Sequence, residues 1–256
     1  MEVDVGHRPS FREAGVNVAA SLSLNERQSL ALQMVCRKLD EVREDEVNTE
    51  QLLLFIGGEG GTGKSRVIES LAAVFNELDQ SHRLLVTATS GTAAASIDGI
   101  TIHSACHLSQ NKNRRQPTTL DSFGATAAQM SRMDGEVKAE WRNRWLLVID
   151  EVSMLGGATL STINSSIRRF RDSDDDFGGI PVVIFCGDFH QFRPVTERSI
   201  ILPSDPLMTP ESRHKHDEAH TLWLRFTTVI ILVEQVRAAA DIRLQQLLQR
   251  IRAGQQ

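Results

Sequence analysis

Tyrosine is missing from this chain altogether, and phenylalanine and tryptophan together bring the aromatic share to only 5%. Cysteine occurs three times, at Cys36, Cys106 and Cys186, with no CxxC pair. That pattern excludes a disulfide-stapled scaffold and reads as buried thiols in a reducing compartment. Long apolar runs are missing too. Stretches such as Trp145–Ile149 and Val229–Val233 fall far short of the ~20 residues a membrane-spanning helix needs. The N-terminus lacks the apolar core of a secretory signal, so an intracellular protein is expected. Positive charge is not in excess: 28 Lys and Arg against 33 Asp and Glu leave a net charge of −5. That argues against a generally basic nucleic-acid binder but leaves room for a local basic groove.

What is present suits a folded domain. Hydrophobic residues make up 41% of the 256 positions and charged residues 24%, enough apolar material for a sizeable core. Residues 1–20 show no clear period and read as a flexible leader, with one domain over 21–256. Asn25 can cap a helix to about Val42, with Ala31, Leu32, Val35 and Leu39 on one face. Apolar runs at Gln51–Ile56, Arg83–Ala88, Trp145–Ile149, Pro181–Cys186 and Val229–Val233 read as five strands. Helical stretches are expected after Ser65, over Gly91–Ile97, within Ala125–Asn143, over Met154–Phe170 and Glu218–Phe226, and over Asp241–Gly254. Gln110–Phe123 and most of Ile200–His216 read as irregular. Continuous apolar strands alternating with helices predict an α/β fold, a mostly parallel sheet covered by helices on both faces.

The strongest local signal is Gly58-Glu59-Gly60-Gly61-Thr62-Gly63-Lys64-Ser65. It matches G-x-x-x-x-G-K-[ST], with a strand before it and a helix after it. Glycines let the backbone curl so that successive N–H groups point at phosphate oxygens, and the helix start adds its positive end. Lys64 can reach the terminal phosphates of a nucleotide, and Ser65 can ligate Mg²⁺.

A second group is needed to hold the metal and activate water. Leu146-Leu147-Val148-Ile149 carries Asp150 and Glu151 to the carboxyl end of a strand, the edge where ligands sit in open α/β sheets. Asp150 would hold Mg²⁺, and Glu151 would orient and deprotonate the attacking water. The pair also fits a simple helix cap. A further strand end, Gly187-Asp188-Phe189-His190-Gln191, offers Gln191 to the γ-phosphate or its water, although Gly-Asp is equally a plain turn. Arg237, just after the fifth strand, could meet transition-state charge or could be a surface arginine.

These motifs, taken in order, resemble those of the PIF-type (petite integration frequency) DNA helicases, RecD-like members of helicase superfamily one. Besides Gly58–Ser65, the resemblance rests on Asp150-Glu151-Val152-Ser153-Met154 and Gly187–Gln191. It extends to Thr87–Ala94, Gly99–Ser104, Leu24-Asn25-Glu26-Arg27-Gln28 and Glu234-Gln235-Val236-Arg237, and covers about residues 22–254. It disfavours other branches of phosphate-loop ATPases. It implies a RecA-like motor domain and an ATP-hydrolysing enzyme with Mg²⁺ as cofactor. Gln28 would read adenine. Gly58, Gly60, Gly61, Thr62, Gly63, Lys64, Ser65 and Arg66 would hold ATP. Ser65 and Asp150 would hold the metal. Lys64, Asp150, Glu151, Gln191 and Arg237 would form the catalytic set, with Gln191 coupling γ-phosphate to DNA and Arg237 acting as an arginine finger. Thr89, Ser90, Thr101, His103 and Ser104 would contact single-stranded DNA, as hydroxyls and an imidazole can without reading sequence. The family unwinds DNA 5′ to 3′ and serves repair, recombination and telomere maintenance, which implies a nuclear location in a eukaryote.

Two departures stand out. The family usually has Gln-Leu-Pro-Pro where this chain has Gln191-Phe192-Arg193-Pro194. The motifs of a second RecA-like domain are also absent from these 256 residues, so a partner domain in another chain is one expectation. The chain alone is then expected to hydrolyse ATP slowly and not to unwind duplexes.

Overall fold

The computed structural model describes residues 9–45, 49–108 and 127–237, with positions 243, 247 and 250 beyond them. Its helices are α1 (Phe11–Ser21), α2 (Glu26–Glu44), α3 (Lys64–Glu77), α4 (Gly91–Ser96), α5 (Ile102–Ala105), α6 (Ala127–Arg142), α7 (Gly157–Arg171) and α8 (Pro210–Leu224). The strands are β1 (Leu52–Gly58), β2 (Leu84–Ala88), β3 (Ile100–Thr101), β4 (Leu146–Asp150), β5 (Val182–Gly187) and β6 (Thr228–Leu232). All pair in parallel, in the order β3-β2-β4-β5-β1-β6. The expected α/β architecture with a parallel sheet is therefore what forms.

Side chains alternate across a strand, so the central strands feed two cores. Leu54, Ile56, Val148 and Ile184 pack on one side with Phe11, Leu32 and Phe75. Leu53, Phe55, Leu147, Ile149, Val183 and Phe185 pack on the other with Ile163, Ile167 and Trp141. Every residue of β4 and β5 is buried, which is why their sequences run apolar without alternation.

Of the flexible leader expected over 1–20, the part from Phe11 on is instead helix α1, while residues 1–8 lie outside the described residues. Ser10 and Glu13 form a capping box, with Glu13 N–H donating to Ser10 Oγ at 3.1 Å and Ser10 N–H to Glu13 Oε2 at 2.7 Å. Asp40 of α2 accepts from the N–H groups of Phe11 (2.8 Å) and Arg12 (3.0 Å), satisfying two more donors from outside the helix. Phe11, Ala14 and Val18 face the core, and Phe11 meets Phe75 edge-on at 5.3 Å. The stripe is short and built partly of small residues, so its period is faint. Gly15 is one of them because α2 passes closely: a Cβ there would lie 2.7 Å from Cys36 Sγ.

Three other expectations shift. The helix expected from Met154 is a 3₁₀ turn at Val152–Met154 followed by α7. The irregular stretch ends earlier than read: Thr209 caps α8 with Pro210 in its first turn, where proline lacks only a dispensable N–H. The two-residue β3 extends the sheet beyond β2. The expected loop at 110–123, which holds the basic run Lys112-Asn113-Arg114-Arg115, lies outside the described residues, as does the helix expected over 241–254 apart from positions 243, 247 and 250. Among the described residues no helix is long and apolar enough to cross a membrane.

Candidate active site

β1 ends at Gly58 and α3 begins at Lys64, so the five residues Glu59–Gly63 must reverse the chain tightly. Gly61 (φ +90°) and Gly63 (φ +87°) occupy the left-handed region that a side chain resists. Gly58 is required by space: a Cβ there would sit 2.5 Å from Thr62 Oγ1 and 2.8 Å from the Leu232 carbonyl. Thr62 Oγ1 donates to Glu59 O at 2.9 Å, closing the loop on itself. Lys64 Nζ donates to the carbonyls of Gly58 (2.7 Å) and Glu59 (3.1 Å), placing its charge at the loop's mouth. Ser65 is exposed in the first turn of α3. The Arg66 guanidinium is turned along the helix to Glu69 and the Leu22 carbonyl.

Two other segments brace this loop. Gln28 is 3% exposed. Its Oε1 accepts from Asn25 N–H at 3.1 Å and its Nε2 donates to Thr62 O at 3.3 Å, so its amide sits against the phosphate loop. From the far side, Val236 and Arg237 donate their backbone N–H groups to Gly61 O at 2.9 and 3.2 Å. Gln235 Nε2 reaches Glu59 Oε2 and Gly60 O, both at 3.2 Å. The side chain of Arg237 is exposed on this rim. Gln235 had no role in the sequence reading; its signal was its place between Glu234 and Arg237.

The sheet register brings the acidic pair to the same edge. β5 lies between β1 and β4, pairing Ile56 with Cys186 and Ile149 with Phe185, so Asp150 leaves the sheet level with Ile56, two residues before the phosphate loop begins. Asp150 is 5% exposed. Burial pushes its carboxyl up to about 6, and Glu151's charge pushes the same way; the Glu151 N–H, donating to Oδ1 at 2.8 Å, and the Lys64 ammonium pull it down. The Lys64 ammonium thus acts on Asp150 from the same rim of the sheet. Glu151 takes a left-handed backbone (φ 53°, ψ 41°), which for a residue with a Cβ costs about 1–3 kcal/mol and persists only where its surroundings impose it.

At the end of β5, Asp188 is buried and accepts from His190 N–H (3.0 Å) and from Gln191 Nε2 (3.1 Å). Gln191 leans over the loop: its Nε2 lies 3.5 Å from where a Cβ on Gly60 would stand. Asp188 had been read only as part of a run, and it is the residue that aims the glutamine. Phe192 is 73% exposed, so the bulky departure beside Gln191 points into solvent and does not pull on it.

The five residues expected to meet DNA sit where β2 and β3 leave the sheet. Ala88 pairs with both Asp150 and Thr101, so Thr89 leaves the strand beside the acidic pair and Thr101 stands one strand further out, on the same side. Ser90 caps α4 through Ala93 N–H at 3.2 Å, and Thr101 caps α5 through Ser104 N–H at 3.1 Å. Thr101 and Ser104 share a hydroxyl contact of 2.8 Å. His103 lines a groove of about 470 Å³ with Thr159, Thr196 and Lys215. The sheet order therefore sets the exits of β2 and β3 on one side of Asp150 and the phosphate loop on the other.

A model of the PIF1-like helicase matches residues 32–255. The chain belongs to the PIF1-like helicase family. It is 27% identical over 249 residues to the ATP-dependent DNA helicase PIF1 of Saccharomyces cerevisiae, spanning 96% of this chain but 26% of that protein. It is 29% identical over 202 residues to the S. cerevisiae ATP-dependent DNA helicase RRM3, again covering 25% of the relative. Among solved structures, the Pif1 helicase of Candida albicans superposes with a TM-score of 0.60 at 24% identity, over 90% of this chain and 44% of that one. A Bacteroides Pif1 in complex with ADP-AlF3 and single-stranded DNA superposes at 0.55 with 21% identity, over 91% of this chain and 47% of that one. The PIF1-like fold is thus shared, while the chain spans about a quarter of the length of these curated relatives.

Proposed function

We propose that this chain is a PIF1-like motor domain that binds ATP with Mg²⁺ at the phosphate loop and single-stranded DNA along the exits of β2 and β3. The observation that carries the reading is that the sheet register brings buried Asp150 to the edge where Lys64 holds the mouth of the phosphate loop. Gln191, aimed by Asp188, leans over the same loop. The PIF1-like relatives named above are ATP-dependent DNA helicases, and one structural neighbour is held with a nucleotide analogue and single-stranded DNA.

The donor set fits Mg²⁺. That ion takes hard oxygens and keeps most of its shell for water and phosphate, so the Ser65 hydroxyl and the Asp150 carboxylate suffice and no three-residue cluster is needed. When bound, it would neutralise phosphate charge. The chain's own groups do the rest. Backbone N–H groups of Gly60–Ser65 and Lys64 bind the phosphates. Glu151 accepts the proton of the attacking water, Gln191 orients that water, and Arg237 faces the charge that develops on the transferred group. Gln28 and Arg66 flank the nucleotide end of the loop, with Gln28 the adenine reader. Thr101, His103, Ser104 and Ser90 offer donors to the DNA backbone. Unwinding, its polarity, and service in repair, recombination or telomere maintenance would belong to a longer assembly with a second RecA-like domain.

The deciding experiment is the ATPase rate with and without single-stranded DNA. Stimulation supports the reading, and a flat response favours a different ATPase. Lys64→Ala abolishes Mg·ATP binding, measured by fluorescent-nucleotide titration; unchanged affinity would reject the loop assignment. Glu151→Gln keeps binding and lowers turnover by ~10²–10⁴-fold, the usual worth of a general base. Loss of binding instead would make Glu151 structural.

A further inference from the structure

Thr89 was expected to touch DNA, yet its side chain is directed at the acidic pair. Thr89 Oγ1 donates to the Glu151 carbonyl at 2.9 Å, and Thr89 N–H donates to the Asp150 carbonyl at 3.2 Å. A threonine hydroxyl has one proton, and here it is given to Glu151, leaving no donor for a phosphate. The recipient is the one residue of the pair whose backbone is strained, at φ 53°. Met154 N–H also donates to that carbonyl, at 3.0 Å, so both of its acceptor positions are held. Beneath it, Gly187 leaves barely enough room: a Cβ there would lie 3.1 Å from Val152 N. Glu151 is thus held by hydrogen bonds from β2's exit and from its own 3₁₀ turn, with β5 passing close to the turn at Gly187.

We propose that Thr89 is a positioning residue that holds Glu151 in its working backbone conformation and links the β2 exit, where Ser90 caps α4, to the water-activating carboxylate. The inference deepens the motor-domain reading and rests on it for the role of Glu151. A strand of DNA that displaces Ser90 or the start of α4 moves Thr89 with them. The two hydrogen bonds to Asp150 and Glu151 carry that displacement to the acidic pair with no intervening side chain.

The test compares Thr89→Val, which keeps the shape and removes the hydroxyl, with Thr89→Ala and with Thr89→Ser, which keeps the hydroxyl. In the whole chain we expect Thr89→Val and Thr89→Ala to lower kcat about tenfold, as a misplaced catalytic group does, with KM for ATP and affinity for a fluorescent single-stranded oligonucleotide held. Thr89→Ser recovers most of the turnover. Hydrogen exchange at the amides of residues 151–154 is faster in Thr89→Val and Thr89→Ala than in the parent. Weakened oligonucleotide binding with full turnover at saturating DNA would overturn the proposal and make Thr89 a DNA contact. Parent-like turnover and exchange in Thr89→Val would overturn it as well. If Glu151→Gln leaves turnover intact, the functional reading fails instead, and the exchange at 151–154 still decides whether Thr89 holds that backbone.

Discussion

Asp150 shows how one buried carboxyl is set by competing neighbours. Burial dominates and raises it to about 6, while the Glu151 N–H and Lys64 restrain the rise. An acid whose pKa is higher folded than unfolded binds more protons in the native state between the two values. Stability of the metal-free protein therefore falls as pH rises from about 4 to about 6 and stays lower above that. The shift from 3.8 to about 6 corresponds to at most ~3 kcal/mol. Asp150→Asn should remove this pH dependence and raise the neutral-pH denaturation midpoint without metal, while weakening Mg·ATP binding. Urea unfolding at roughly pH 3.5 and 7.5, on either side of that window, checks it. A parent whose stability climbs across that range would contradict the burial of a charged Asp150.

The elements show where apolar spacing sufficed and where it did not. β4 and β5 are uninterrupted apolar runs because both faces are covered, and they read as strands at sight. α1 did not, because half its buried stripe is alanine and glycine and two of its first N–H groups are met by Asp40, 28 and 29 residues away. Its packing is nonetheless substantial: Phe11 is fully buried between Phe75 and Trp145. Phe11→Ala should cost about 3–5 kcal/mol, seen as a lowered denaturation midpoint. A loss below ~1 kcal/mol would mean that α1 is peripheral. The histidines of α8 also find their explanation at this level. Ring nitrogens of His216 and His220 bond the carbonyls of Leu202 and Ile200 at 2.8 and 2.7 Å, tying the irregular segment to the helix.

In the molecule as a whole, the sheet order does the organising. β4 lies between β2, which ends just before Thr89, and β5, which ends at Gly187, and β1 follows beyond, so four exits form one rim. On that rim the phosphate loop, Gln191 and Arg237 face outward with no second lobe among the described residues. If a second lobe completes this site, as the motor-domain reading implies, these residues alone leave the γ-phosphate uncovered. The 256-residue chain should therefore hydrolyse ATP slowly and fail to separate a tailed duplex in a strand-displacement assay. Robust unwinding by the purified chain would show that a single lobe is enough.

The phosphate loop, the acidic pair and the order of strand and helix were legible in the residues, since glycine spacing, a lysine-serine start and apolar runs are local consequences of backbone sterics and burial. That Asp188 aims Gln191, that Gln235 and Gln28 clamp the loop from two sides, and that Thr89 is turned toward Glu151 were not. Those contacts join residues brought together by the order 3-2-4-5-1-6, and parallel neighbours in a sheet can be far apart in the chain. Chemistry was written in short stretches of residues; aim and bracing came from which strand lies beside which.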